Sequence, residues 1–259
     1  MAVTRYLDNT VLAERIQLAA GVIAGASFNH KFGAAPEMRI GQTGTVWDIN
    51  DTLYPWAALD TPAVVNVERN NVADEGTVIY VQGLDSDYNF QEEEITISGT
   101  DTLGTKLFRR VNRAFATHDG TTNVGNIDIE AGAAGGTTVA RISAGLGQTL
   151  MAVYTVPKGK TAYIMQGTMS IKAGADATGS MFVRLFGQNV FRIGHSFEVS
   201  GAGGQYIYPF SIPIKITEKS DIDVRAAVRS NNARITAAFD IVLLDNKINR
   251  RGEAVGLHI

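Results

Sequence analysis

Cysteine is absent from the 259-residue chain, which excludes disulfide bonds, thiolate zinc sites and cysteine nucleophiles. An excess of one charge is lacking as well, because 23 basic and 26 acidic residues leave a net charge of −3. The sequence has no run of Lys or Arg, so it lacks the concentrated positive charge that attracts a polyanion. We therefore expect no specific nucleic-acid binding. The missing cysteines also suit a chain that is made and assembled in a reducing compartment.

Long hydrophobic runs are missing too. The longest apolar stretch near the N-terminus covers residues 18–26 and is rich in Ala and Gly. A membrane-spanning helix needs about 20 apolar residues, so this stretch is too short. Asp8 and Glu14 precede it, where a signal peptide has a basic segment. We therefore expect no membrane partner and no signal peptide.

Glycine and short alternating segments are what the sequence does contain. The chain has 27 Gly, and clusters of Gly, Asn and Asp separate the apolar segments. Within segments such as 94–98, 126–130 and 221–225, apolar residues recur at every second position, which is typical of strands with one buried and one solvated face. Turn clusters about ten residues apart favour antiparallel sandwiches or barrels. The predicted fold is all-β, with two antiparallel β-sandwich (jelly-roll-like) domains.

The expected organisation has four parts. Residues 1–45 form an N-terminal arm with a short helix, residues 46–146 and 147–246 form the two sandwich domains, and residues 247–259 form an exposed tail. Residues 107–115 are interpreted as a strand, because aromatic and β-branched residues dominate their apolar positions.

The arm is predicted from a helical stripe. Apolar residues spaced by four, three and four positions share one helix face, with a stop at Gly25 and an extended connector over 26–45. The stripe consists of Leu12, Ile16, Ala19 and Ile23. Because an isolated amphipathic helix is marginal, Leu12, Ile16 and Ile23 are candidate contacts with a neighbouring subunit. The alternative is a helix that packs on its own domain.

Three short motifs resemble ligand-binding loops but lack essential parts. The GKT at 159–161 has no Gly at position 154 and no following helix, and the GLG at 145–147 lacks the third Gly. We interpret the first as a hairpin turn and the second as a turn. Asp85, Asp87 and Asn89 have calcium-loop spacing, but Phe90 and Thr96 stand where the loop requires Gly and Glu. A solvated hairpin is the favoured interpretation of that segment.

No catalytic set is apparent. His30, His118, His195 and His258 have no metal-like spacing with one another or with acidic residues, and no Gly-x-Ser-x-Gly occurs. We therefore predict no catalytic residues, no metal ligands, no cofactor and no enzyme activity. One alternative stays open: a hydrolase in which His118 or His195 meets Asp or Glu and Ser in space.

Three aromatic residues cluster within ten positions: Trp47, Tyr54 and Trp56. A plug at the end of a sandwich core is the default interpretation, and an anchor for a neighbouring subunit is the second. Such rings also stack on sugars, so a carbohydrate- or receptor-binding module is a further alternative.

Several segments resemble, in the same order, uncharacterised virion structural proteins of tailed bacteriophages, especially marine ones. The most extensive is GQTLMAVYTVPKGKTAYI at 147–164. The others are GTVWD at 44–48 with YP at 54–55, GLD at 83–85, FRRVNRAF at 108–115, GNI at 125–127, SDIDVR at 220–225 and SNN at 230–232. The likeness spans about 45–245, so the candidate arm lies outside it.

The resemblance implies a structural component of the virion, located in the particle and assembled in the host cytoplasm. It implies symmetric homo-oligomers, trimers or larger, and contacts with other virion proteins. A place in the tail, neck or fibre-attachment apparatus is the first expectation, and capsid decoration as a cement protein is the alternative. The family supplies no catalytic residues.

Overall fold

The computed structural model describes residues 14–117, 122–200 and 204–249, and these residues confirm the all-β prediction. They form sixteen antiparallel strands in four small sheets, with only short helices between or beside them. Turn segments of 3₁₀ helix occur at Trp56–Leu59 and Val72–Asp74.

Two of the sheets enclose a first hydrophobic core. In spatial order, sheet 1 contains β1 (Ala26–Met38), β16 (Ala233–Asp245), β11 (Lys160–Ile171) and β14 (Gln205–Ile216). Sheet 2 contains β10 (Val153–Thr155), β15 (Asp221–Ser230), β12 (Asp176–Arg184) and β13 (Arg192–Val199), and β2 (Thr43–Thr45) also pairs with β15. Core 1 combines residues of both sheets, such as Ile164 and Phe239 from sheet 1 and Met181 and Ile222 from sheet 2.

The other two sheets enclose a second core. Sheet 3 contains β6 (Asp101–Leu103), β3 (Val65–Arg69), β8 (Ile127–Ala131) and β9 (Thr137–Ile142). Sheet 4 contains β5 (Phe90–Thr96), β4 (Val78–Leu84) and β7 (Arg110–Thr117). Core 2 combines Val67 and Ile129 of sheet 3 with Ile79 and Val111 of sheet 4. The strand expected at 107–115 is β7 from Arg110 onward.

The expected connector over 26–45 is largely a strand. β1 pairs in antiparallel register with β16, from Ala26 opposite Leu244 to Ala35 opposite Ile235. Gly33 and Pro36 had indicated a connector, but Gly33 has a packing role: a Cβ there would lie 2.1 Å from the Val46 carbonyl oxygen. β1 therefore passes the neighbouring backbone at a distance that only glycine allows.

The helix of the expected arm is shorter than its stripe. Helix α1 (Glu14–Ala19) contacts β1 and ends before Gly21, whose φ is +67°. Ile23 therefore lies beyond the helix rather than on its face, while Ile16 is exposed. Leu12 lies outside the described residues.

The last described residues form another short helix, α2 (Asn246–Asn249), which covers part of the expected tail, and residues 250–259 lie outside the described residues. Neither helix, nor any other within the described ranges, has the length and hydrophobicity to cross a membrane.

Two predicted turns have different outcomes. The GLG segment is a turn in which Gly145 and Gly147 both have positive φ. The GKT segment is a turn at Gly159, but the hairpin prediction is wrong, because β10 pairs with β15 in sheet 2 while β11 lies in sheet 1. Pro157 and Gly159 thus move the chain from one sheet to the other.

Candidate interaction surface

The three clustered aromatic residues are part of core 2. Trp47, Tyr54 and Trp56 are 2%, 4% and 7% exposed, and consecutive ring centroids lie 5.3 Å and 4.6 Å apart in edge-on contacts. Their side chains pack within the chain's own core, in agreement with the core-plug interpretation. The two alternatives, a subunit anchor and a sugar-stacking surface, both need exposed ring faces, which these buried side chains do not offer.

A buried ionic network lies next to this plug. Asp221 and Asp223 of β15 are buried, although the alternation in 221–225 had suggested a solvated face. Arg110 of β7 and Arg184 of β12 both pair with Asp221, at 3.1 Å and 2.6 Å. Trp56 Nε1 donates to Asp223 Oδ2 at 3.0 Å. Protein donors thus reach both carboxylates, and the network connects strands of the two cores.

Sequence reasoning missed a second aromatic cluster, on β13 and β14. We call it the edge cluster, and it consists of His195, Phe197, Tyr206, Tyr208 and Phe210. Phe197 and Tyr206 stack at 4.5 Å with an interplanar angle of 4°, which joins the last strand of sheet 2 to the last strand of sheet 1. A Cβ on Gly179 would lie 2.4 Å from the Phe197 ring, so glycine at that position makes room for the stack.

Both strands of the edge cluster are edge strands on the same side of core 1. β13 pairs with β12 and β14 pairs with β11, and no other described strand pairs with either. The register between β11 and β14 is interrupted from Gln166 opposite Pro209 to Ile164 opposite Ile214, so residues 210–213 of β14 bulge out of the ladder. Among the described strands, β13 and β14 thus each leave one edge without a neighbouring strand.

Exposed apolar side chains surround these edges. Ile212 in the bulge is 84% exposed, and Val190, Ile193, Ile207 and Tyr208 are also exposed. A groove of about 400 Å³ runs beside them, and its lining combines apolar residues such as Val183, Leu185 and Ile214 with the cationic Arg192 and Lys215. We define the edge surface as the edge cluster together with Val190, Ile193, Ile207 and Ile212.

His195 is set in this cluster rather than in a catalytic array. Its Nε2 lies 3.0 Å from the Tyr206 hydroxyl, its ring contacts four aromatic rings, and burial lowers its pKa. The neighbouring Ser196 hydroxyl instead contacts Ser180 at 2.9 Å. The hydrolase alternative required an acidic residue and Ser around His195 or His118, and His118 lies outside the described residues.

The Asp85 turn is stabilised by its own backbone. Asp85 Oδ1 accepts hydrogen bonds from the N–H groups of Asp87 and Asn89 at 2.8 Å and 2.9 Å, and Leu84 pairs with Phe90 to close the expected hairpin. Within the described ranges, no group of three or more His, Asp or Glu side chains is arranged to hold a metal ion.

No family model matches the chain, and no curated protein matches it. Among solved structures, one of infectious bursal disease virus, Gt strain, is 10% identical over 86% of this chain and 73% of that chain, with a TM-score of 0.23. The crystal structure of the VP2 subviral particle of the same virus is 10% identical over 94% of this chain and 77% of that chain, again with a TM-score of 0.23. Such scores establish neither a shared fold nor a shared function.

Proposed function

We propose that this protein is a non-enzymatic structural component of a tailed bacteriophage virion, which binds copies of itself and neighbouring virion proteins. In this proposal each pair of sheets forms one antiparallel β-sandwich. The resemblance of residues 45–245 to virion proteins of tailed phages supports the particle assignment. The tail, neck or fibre-attachment apparatus is the proposed place, with capsid decoration as the alternative.

The edge surface is the single observation that supports the binding role most strongly. Proteins blunt the edges of their sheets with charges or short strands, because unpaired edges bind other chains. Here the edge strand β14 is twelve residues long, and its segment 205–214 (QYIYPFSIPI) contains no charged residue. Pro209 and Pro213 remove two backbone donors, but the apolar side chains remain exposed. Exposed apolar area of this kind is typical of a subunit interface.

The occupant that we propose for the edge surface is a second copy of this chain. A mainly apolar surface gains most from a partner that is equally apolar, and closed symmetric association of identical chains satisfies this condition with a single sequence. Two edges side by side also allow strand addition from a neighbour. The buried network between the cores suits the same role, because it holds the two sheet pairs of each subunit together.

Sedimentation velocity over a range of protein concentrations tests this proposal. We expect the wild-type chain to form a discrete oligomer and the Ile207→Lys/Ile212→Lys variant to sediment as a folded monomer. Val72→Lys/Leu103→Lys places the same charges on exposed apolar residues outside the edge surface and serves as the matched control, which should remain oligomeric. A wild-type monomer at every concentration, or an edge variant that assembles like the control, would overturn the proposal.

A further inference from the structure

A cationic cleft lies where β1 of sheet 1 meets sheet 4. Its inner cavity measures about 90 Å³ and is lined by Asn29, His30, Lys31, Phe32, Gln82, Phe90, Asn112, Arg113, Thr149 and Tyr154. A wider cavity of about 360 Å³ adjoins it, because Asn29, Phe90 and Tyr154 line both, and this outer part adds Lys158 and Lys160. The two cavities thus lie side by side, with Lys31 and Arg113 at the inner one and Lys158 and Lys160 at the outer one.

Negative charge is missing from the lining of this cleft. None of the described residues that line either cavity is Asp or Glu. Two nearby carboxylates are already paired: Asp240 with His30 at 2.6 Å, and Asp245 with Lys160. Arg113 donates to the neutral Gln148 side chain at 2.7 Å. The inner cavity thus has positive groups and no described counter-ion among its walls.

Lys31 is the most unusual of these groups. It is 6% exposed, and its Nζ donates a hydrogen bond of 2.5 Å to the Asn112 carbonyl oxygen. Burial, with Arg113 adding repulsion, lowers the pKa of Lys31 to about 7. An ammonium group has three donors, and a buried one is costly without a negative partner, so burial of Lys31 among these residues is unfavourable.

We propose that this cleft binds a small oxyanion, with Lys31 and Arg113 contacting its charged oxygens. The inner cavity has room for one group of the size of a sulfate or a carboxylate. The outer cavity can accept the rest of a larger molecule that carries this group. Such a ligand would compensate the buried Lys31 charge and would contact β1 of sheet 1 and β7 of sheet 4 at once. Binding would therefore hold the two sheet pairs together, independently of the edge surface.

Isothermal titration with sodium sulfate and with sodium acetate, at constant ionic strength, tests the site in the full chain. We expect saturable binding of one or both anions and at least about tenfold weaker binding in Lys31→Met and in Arg113→Gln, because each loses a charge-assisted hydrogen bond. Lys172→Met removes an exposed lysine distant from the cleft lining and should leave the affinity unchanged. Circular dichroism checks that each variant is folded.

The two anions distinguish the sources of the oxyanion. Tighter binding of sulfate would indicate a tetrahedral group such as a phosphate or sulfate ester. Tighter binding of acetate would indicate a carboxylate. Either result supports the proposal. Wild-type chain that binds neither anion saturably would overturn it, and so would Lys31→Met that binds as the wild type does. Sedimentation of the same samples shows separately whether self-association is intact.

Discussion

Arg110 Nε lies 3.1 Å from Asp221 Oδ1, and this buried ion pair joins β7 of core 2 to β15 of core 1. Arg110 also reaches Asp60 Oδ1 at 3.0 Å, and Thr155 Oγ1 donates to Asp221 Oδ1 at 2.6 Å. A buried carboxylate with this many donors is fixed in position, so the ion pair also fixes how the two sheet pairs meet.

Arg110→Met should therefore destabilise the protein. The substitution removes one of the two arginines that pair with Asp221 and leaves Arg184 and the Thr155 hydroxyl for the buried carboxylate, so we expect a loss of about 3 kcal/mol in the free energy of unfolding by urea. Arg141→Met breaks a more exposed pair with Asp128 and should cost about 1 kcal/mol or less. Equal losses of stability in the two variants would show that the Arg110–Asp221 pair stabilises the protein no more than an ordinary surface ion pair does.

Gly33→Ala should be among the most damaging single-methyl substitutions in the chain. The new Cβ would overlap backbone atoms, 2.1 Å from the Val46 oxygen and 2.4 Å from the Ala152 nitrogen, and neither can move without displacing a strand. We expect a loss of about 3 kcal/mol or more in thermal or urea unfolding. Gly167→Ala on β11 meets no atom within 4 Å and provides the control, whose stability should change little. Similar stabilities would contradict the close approach of β1.

Lys31 makes the stability of the chain depend on pH above neutrality. Its pKa is about 7 in the folded chain against an ordinary 10.5, so the unfolded chain binds more protons between these values. As the pH rises from about 7 to 10.5, the free energy of unfolding should therefore increase by up to about 1.4 kcal/mol per pH unit. The charged and titratable groups around Lys31 are Arg113, His30 with Asp240, and Tyr154, whose pKa burial raises to about 12.

The variant Lys31→Met isolates this contribution. It removes the titrating group but keeps an unbranched apolar chain, so the difference in unfolding free energy between variant and wild type should shrink as the pH rises from 7 towards 10.5. Urea unfolding at several pH values measures it. A difference that stays constant across the window would show that Lys31 titrates as an exposed lysine does.

The sequence predicted the strands better than it predicted their partners. The period of two in 94–98 and 126–130 marks β5 and β8, because burial of one face favours that pattern. The alternation in 221–225 also marks a strand, β15, but there the polar positions Asp221 and Asp223 are buried as well. The pairing of β1 with β16 could not be predicted, since the paired residues Ala26 and Leu244 are separated by almost the whole chain. No local pattern encodes a contact at that separation.

The candidate site was harder to predict than the strands. The core position of Trp47, Tyr54 and Trp56 followed from their clustering, but the burial of Asp221 and Asp223 depends on arginines from other strands, such as Arg110 and Arg184. The edge surface did leave a signal: the segment 205–214 has apolar residues at both odd and even positions and no charge, which is unlike a strand with a solvated face.

The central claim is that copies of this chain associate through the edges of β13 and β14, and amide hydrogen exchange tests it most directly. We expect slower exchange over 192–199 and 205–216 in the assembled wild type than in the monomeric Ile207→Lys/Ile212→Lys variant. The edge strand β5 in sheet 4 should exchange equally in both. Equal exchange of β13 and β14 in the two samples, with protection confined instead to residues 14–26 of the expected arm, would contradict the claim.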